Sequence, residues 1–128
     1  MFSTKSVKCF QQVQYILYVD AEKWICRAEI AYKSGQIKTA IRHAKRALAV
    51  IARKAAPDKA ISKSIALQIF IARAYSKLGL LRESNAIYRK LVNEKNYLPP
   101  VIMGLLYNNF QSLQKTNRNL GLIKIFVR

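Results

Sequence analysis

The stretch AYKSGQIKTAIRHAKRALAV, residues 31–50, decides the architecture. It reads as a helix end, a glycine turn and a second helix. Gly35 is the predicted stop, because glycine enters the left-handed region without a steric penalty. Beyond it Ala40, Ile41, Ala44, Ala47, Leu48 and Ile51 recur at helical spacing, which predicts a helix over about 37–54. Lys38, Arg42, Lys45 and Arg46, then Arg53, recur at three-, four- and seven-residue steps, which gathers them on one face. The stretch therefore poses a choice. Its second helix either grips nucleic acid or forms the solvated back of a protein-binding scaffold.

Upstream, acidic Asp20 and Glu22 stand where a helix start favours them, with Asp20 as the predicted N-cap. The helix that follows runs to about Ser34 with Trp24, Ala28, Ala31 and Tyr32 at helical spacing. Before it, residues 1–19 predict an amphipathic capping helix with Phe2, Phe10, Val13 and Leu17 near one face. That segment carries Lys5 and Lys8 without an acid, a bias compatible with organelle targeting, yet it contains no arginine.

Downstream, AAPDKAISKS interrupts the pattern, and Pro57 either ends a helix or opens the next one. Apolar helical spacing resumes at Ile65 and runs to Gly79. A fourth helix covers about 82–94, and Pro99 and Pro100 close the turn after it. VIMGLLYNNFQSLQ is a further helical segment and KTNRN reads as a loop. The tail LGLIKIFVR is open between a short helix and a strand-like extension.

The two glycine turns superimpose. Ala28 and Ala72 each stand seven residues before their glycine, and Ala40 and Ser84 each five after it. Small residues at those offsets let paired helices approach closely. The pattern resembles the tetratricopeptide repeat family, carried by Trp24, Ala28, Gly35, Ala40 and Ala47 in residues 21–54. In residues 65–98 it is carried by Ala72, Tyr75, Gly79, Ser84 and Tyr88. Gly104 and Tyr107 repeat the spacing of Ala72 and Tyr75, which marks 100–114 as a third first-helix or cap before a tail at 115–128. The resemblance implies an all-α fold, a short right-handed superhelical stack of antiparallel helix pairs with six to seven helices in one domain. The departures are specific. The turn glycines are 44 residues apart against a family period near 34. Ala31 replaces an aromatic, Leu91 a small residue, and no proline closes the first unit.

Bulk composition bounds the function. The chain has 128 residues, 52% hydrophobic, with Lys+Arg 23 against Asp+Glu 6, a formal charge of +17. A field of that size attracts acidic partners: nucleic acid, an anionic membrane surface or an acidic protein. The two cysteines, Cys9 and Cys26, are far apart and form no CxxC pair, so the reading is a reducing compartment with both thiols packed as small apolar groups. The only histidine, His43, lies among Arg42, Lys45 and Arg46 and reads as a surface residue. One histidine and six acids offer little for paired-carboxylate or Ser-His-Asp chemistry or for a zinc site, and no glycine-rich phosphate loop is present. The expectation is a protein without catalytic activity, cofactor or metal, soluble in the cytoplasm or an organelle matrix. No apolar run is long enough to span a membrane.

Two binding surfaces compete. The resemblance places a partner-binding groove on Ile25, Glu29, Tyr32 and Lys33, then Ile69, Phe70, Arg73 and Lys77. That mixture suits an acidic peptide or partner helix, with Ile69 and Phe70 open between groove and core. Phe70 and Cys26 stand where the family's acidic-tail clamp carries polar residues, so that particular clamp is not implied. The second surface is the anionic-partner patch Lys38, Arg42, Lys45, Arg46 and Arg53, which lacks interleaved aromatics for base stacking. Three readings follow: a protein-binding adaptor or assembly factor, an RNA- or ribonucleoprotein-associated protein, and peripheral membrane association through residues 1–19.

Overall fold

The computed structural model describes residues 20–53 and 57–127, with side chains placed over 20–53 and 61–118. Among them every regular element is an α-helix. The first, α1, covers 20–33. It is followed by α2 (Ile37–Ala52), α3 (Pro57–Lys77), α4 (Leu81–Asn93) and α5 (Pro99–Val127). The capping helix expected at 1–19 lies outside the described residues. Among the described residues there are five helices, and the tail expected as a separate segment is part of α5.

Two boundaries differ from the sequence reading, and a third, left open there, is decided. Asp20 is already helical and so is not the cap of α1. Pro57 opens α3 and lengthens it by eight residues ahead of Ile65, since the first helical position needs no N–H from proline. KTNRN continues α5 without a break. None of its residues is a glycine or proline, and a helix already nucleated upstream extends through neutral formers. Cys26 is exposed rather than packed; two positions ahead of buried Ala28, it points away from the core.

The turns explain how the helices double back. At Gly35 the Gly35 N–H bonds the Tyr32 carbonyl (3.1 Å) and the Gln36 N–H the Ala31 carbonyl (2.9 Å). At Gly79 the same two bonds run from Gly79 to Ser76 (3.0 Å) and from Leu80 to Tyr75 (3.0 Å). Both glycines have φ 82°. This reciprocal pair is the Schellman closure, which satisfies the last carbonyls of a helix. Across the Gly79 turn the Ser84 hydroxyl donates to the Ala72 carbonyl at 2.7 Å, so α4 runs back along α3.

A third closure ends α4, with Lys95 bonding Val92 (2.9 Å) and Asn96 bonding Leu91 (2.9 Å). Here the left-handed residue is Lys95, at φ 65°. A side chain at such an angle is penalised by about 1–2 kcal/mol. Glycine removes that penalty at some entropic cost to the unfolded chain. Lys95→Gly is therefore expected to raise stability by up to about 1 kcal/mol, read as a higher urea midpoint with unchanged slope.

Burial follows the small residues. Ala40, Ala44 and Ala47 of α2 are fully buried, with Ala28 beneath them on α1. Ala28, Ala44 and Ala47 join Ile37, Ile41, Ile51, Leu67, Ile71 and Ala74 in one core spanning α1, α2 and α3. A second core holds Ala72, Tyr88, Leu91 and Val101 across α3, α4 and α5, and Ile87 packs against both. α2 packs on α3, α3 on α4 and α4 on α5, and α3 also reaches α5; α1 meets α2 where Trp24 stacks on His43. The lysines and arginines of α2 face away from this core.

Candidate functional site

Tyr32 and Phe70 meet across α1 and α3, ring centroids 5.4 Å apart and tilted by 54°. The pair divides the predicted groove into two depressions. The smaller, about 260 Å³, is lined by Ile25, Glu29 and Phe70 together with Glu22 and Lys63, which are ion-paired across its edge. The larger, a cleft of about 580 Å³, is lined by Tyr32, Arg73 and Lys77, with Tyr88 from α4 and Met103, Tyr107 and Asn108 from α5. Among the described residues no acidic side chain lines the larger cleft.

Six of the eight sequence-predicted groove residues thus fall on these two depressions. Ile69 does not; it packs half-buried against the second core. Lys33 is exposed and lines neither. Phe70 is half-buried against the first core while also lining the smaller depression, so it serves both roles. The residues that sequence reasoning missed come from α4 and α5. Their one visible signal was the Gly104–Tyr107 spacing; which face of α5 turned toward α3 could not be read from it.

Charge in the larger cleft is one-signed. The Lys77 ammonium sits 4.6 Å from the Tyr32 ring centroid, a cation–π distance that restrains a flexible side chain. Arg73 and Lys77 are both exposed. Burial pushes the Tyr88 hydroxyl above its usual range, opposed by Arg73 and reinforced by Tyr32, so it remains a neutral donor at physiological pH. The cleft can therefore offer two cations and several hydroxyl or amide groups to an anionic group, with tyrosine and methionine for an apolar neighbour.

The predicted anionic-partner patch is assembled as one face. Lys38, Arg42, Lys45, Arg46 and Arg53 are all exposed. The aromatics missing from α2 itself arrive from its neighbours. The Arg46 and Arg27 guanidinium carbons each lie 4.9 Å from the Trp24 ring centroid, and Lys45 lies 5.4 Å from Tyr75. His43 stacks on Trp24 at 5.3 Å, half-buried rather than a free surface residue, and its Nδ1 has no hydrogen-bond partner. Desolvation, then Arg42, Arg27 and Arg46, hold its pKa below the usual imidazole value, so it is neutral at pH 7. The salt bridges of the described residues, Lys63–Glu22 and Lys90–Glu94, leave the arginines around Trp24 without a carboxylate.

Among the described residues no group of histidine, cysteine and acidic side chains could hold a metal, and no helix is long and apolar enough to cross a membrane. No protein-family model matches the chain, and neither a curated protein nor a solved structure matches it.

Proposed function

We propose that the chain is a non-enzymatic helical-repeat adaptor of tetratricopeptide type that captures an acidic peptide or helix of a partner protein in the cleft between α1, α3 and α5. The observation that carries this reading is the lining of that cleft: Arg73 and Lys77 beside Tyr32, with no acid among the described residues of its walls. A peptide carboxylate would meet the two cations, and an adjacent apolar side chain would meet Met103 and Tyr107. The repeat architecture draws support from the paired offsets. Ala28 and Ala72, Ala40 and Ser84, Ala44 and Tyr88, and Ala47 and Leu91 are buried alike. With the two matching glycine turns, this is what a stack of right-handed helix pairs requires. The free, exposed Cys26 suits a reducing compartment.

A second reading has one observation of its own. Trp24 holds Arg27 and Arg46 against its ring. Guanidiniums ordered in this way, without a carboxylate partner, suit phosphate oxygens of an RNA backbone. One binding experiment tests both readings. The full chain is screened against acidic peptides carrying an aromatic or aliphatic anchor, beside a single-stranded RNA of mixed sequence. Arg73→Glu with Lys77→Glu is expected to weaken peptide binding at least about tenfold, equivalent to 1.4 kcal/mol. RNA binding should stay near the wild-type value. Both side chains are exposed, so the fold should survive. Peptide affinity unchanged by the double reversal rejects the adaptor reading. RNA binding lost on Arg42→Glu with Arg46→Glu, with no peptide bound by the wild type, selects the second.

A further inference from the structure

Of the six acidic residues in the chain, two line the smaller depression. Its apolar lining includes Ile25, Leu67 and Phe70, with Glu22, Glu29 and Lys63 beside them. Lys63 is ion-paired with Glu22, whereas exposed Glu29 takes part in neither ion pair of the described residues. One negative charge is therefore left over, in a chain of +17. The depression, about 260 Å³, falls below the roughly 300–1,000 Å³ of a small-molecule pocket, and its size suits a single side chain.

The larger cleft has the opposite sign, carried by Arg73 and Lys77. Both depressions lie on the same faces of α1 and α3. Ile25, Glu29 and Tyr32 succeed one another at four- and three-residue steps on α1; Phe70, Arg73 and Lys77 do so at three- and four-residue steps on α3. Both helices run from the smaller depression to the larger, past the Tyr32–Phe70 ring contact that divides them. On α3 the lining residues shift from 63–70 to 73–77, roughly 13 Å along the axis at the helical rise. An extended peptide covers that distance in about four residues.

We infer that the segment bound in this groove is charge-polarised: its acidic side chain enters the larger cleft, and an arginine or lysine about four residues away fills the smaller depression. A long cationic side chain lays its aliphatic stem on apolar surface and keeps its head at the polar edge. Here the stem lies on Ile25, Leu67 and Phe70, and the head meets Glu29. The field of the whole chain disfavours a cation in the ligand, so a preference for one has to come from this local charge. A uniformly acidic segment would set a carboxylate against Glu29 and is selected against by that repulsion. The inference rests on the adaptor reading and adds to it a second anchor of defined sign and spacing.

The test is fluorescence anisotropy of the full chain with labelled peptides. Each probe carries a glutamate and an arginine four residues apart, made in both chain directions, and the tighter direction is kept. Against the wild type, replacing the probe's arginine by methionine should weaken binding about fivefold, and replacing it by glutamate should weaken it further. A purely global attraction to the +17 chain predicts the reverse order. Glu29→Arg should invert the preference, so that the glutamate-substituted probe becomes the tighter ligand. Glu29 is exposed, and circular dichroism should show an unchanged helix content in that variant. A probe whose binding depends on Arg73 and Lys77 but is no tighter than its methionine version overturns this inference and leaves the adaptor reading standing. So does a preference that survives Glu29→Arg. If no probe binds, or if Arg73→Glu with Lys77→Glu leaves binding unchanged, the adaptor reading falls and this inference falls with it.

Discussion

Gly104→Ala is expected to destabilise the protein by about 2 kcal/mol, in the range of an overpacked core. The usual direction is the reverse. Alanine in a helix interior is favoured over glycine by about 0.5–1 kcal/mol, so a naive ranking of helix formers predicts a gain. Gly104 lies inside α5, yet a Cβ there would stand 2.3 Å from Cζ, 2.6 Å from Cε2 and 2.6 Å from the hydroxyl oxygen of Tyr88. Those atoms belong to a ring that is 1% exposed, held among Ala72, Leu91 and Val101. The ring cannot swing away without displacing its neighbours, and the backbones of α4 and α5 would have to separate. Thermal unfolding should register a drop of roughly 8 °C for a domain of this size. Tyr88→Phe should not rescue the variant, because the clash includes ring carbons. Tyr88→Leu in the Gly104→Ala background should recover part of the loss, since the shorter side chain vacates the space. A Gly104→Ala chain as stable as the wild type would mean that α5 does not sit this close to α4.

That contact also shows where sequence reading stops. The turn glycines, the alanine positions flanking them and the segregation of the α2 basic face follow from local rules, so they could be read residue by residue. Ala40, Ala44 and Ala47 recur on one face, and close approach of a neighbouring helix is what small side chains at that spacing permit. The start of α3 stayed open because Pro57 supports a helix start as well as a helix end, and the polar residues after it carry no apolar period to decide. The end of α5 was misread because polar residues without glycine or proline suggest a loop by composition while leaving helix geometry unopposed. The candidate site was half legible. Tyr32, Phe70, Arg73 and Lys77 lie on α1 and α3, whose facing sides are set by alanine spacing. The α5 wall was not legible, because an apolar residue at nearly every position from 101 to 107 gives no preferred face. The Trp24 arrangement escaped for a different reason: its parts come from two helices, and a search along α2 alone finds no aromatic.

Asn108→Ala should cost about 3 kcal/mol, more than any single exposed change, because its side chain is the hub that ties three helices together. The Ser76 hydroxyl donates to its Oδ1 at 2.7 Å; its Nδ2 donates to Ser84 Oγ at 2.8 Å and to Asn85 Oδ1 at 2.9 Å. Ser84 passes its own hydrogen to the Ala72 carbonyl at 2.7 Å, which completes a chain from α5 through α4 to α3. Both Asn108 and Ser84 are 0% exposed. A buried polar group that loses a partner bears a desolvation penalty, and alanine at 108 takes one from each of Ser76, Ser84 and Asn85, of which Ser84 keeps the Ala72 carbonyl. Asn108→Asp isolates the donor role. It keeps the shape and the Oδ1 acceptor but removes the Nδ2 hydrogens, setting a second oxygen against Ser84 Oγ and Asn85 Oδ1. Burial and facing acceptors both disfavour the carboxylate, so the folded-state pKa rises above the unfolded value of about 3.9. A group with a raised folded pKa contributes stability in full below the unfolded pKa and loses it as pH rises through the folded one. The stability gap between Asn108→Asp and the wild type should therefore be narrow near pH 3.5–4 and widen toward neutrality, measured by urea unfolding across pH. A gap independent of pH, or an alanine loss below about 0.5 kcal/mol, would mean that water reaches this network and that α5 is held by its apolar contacts alone.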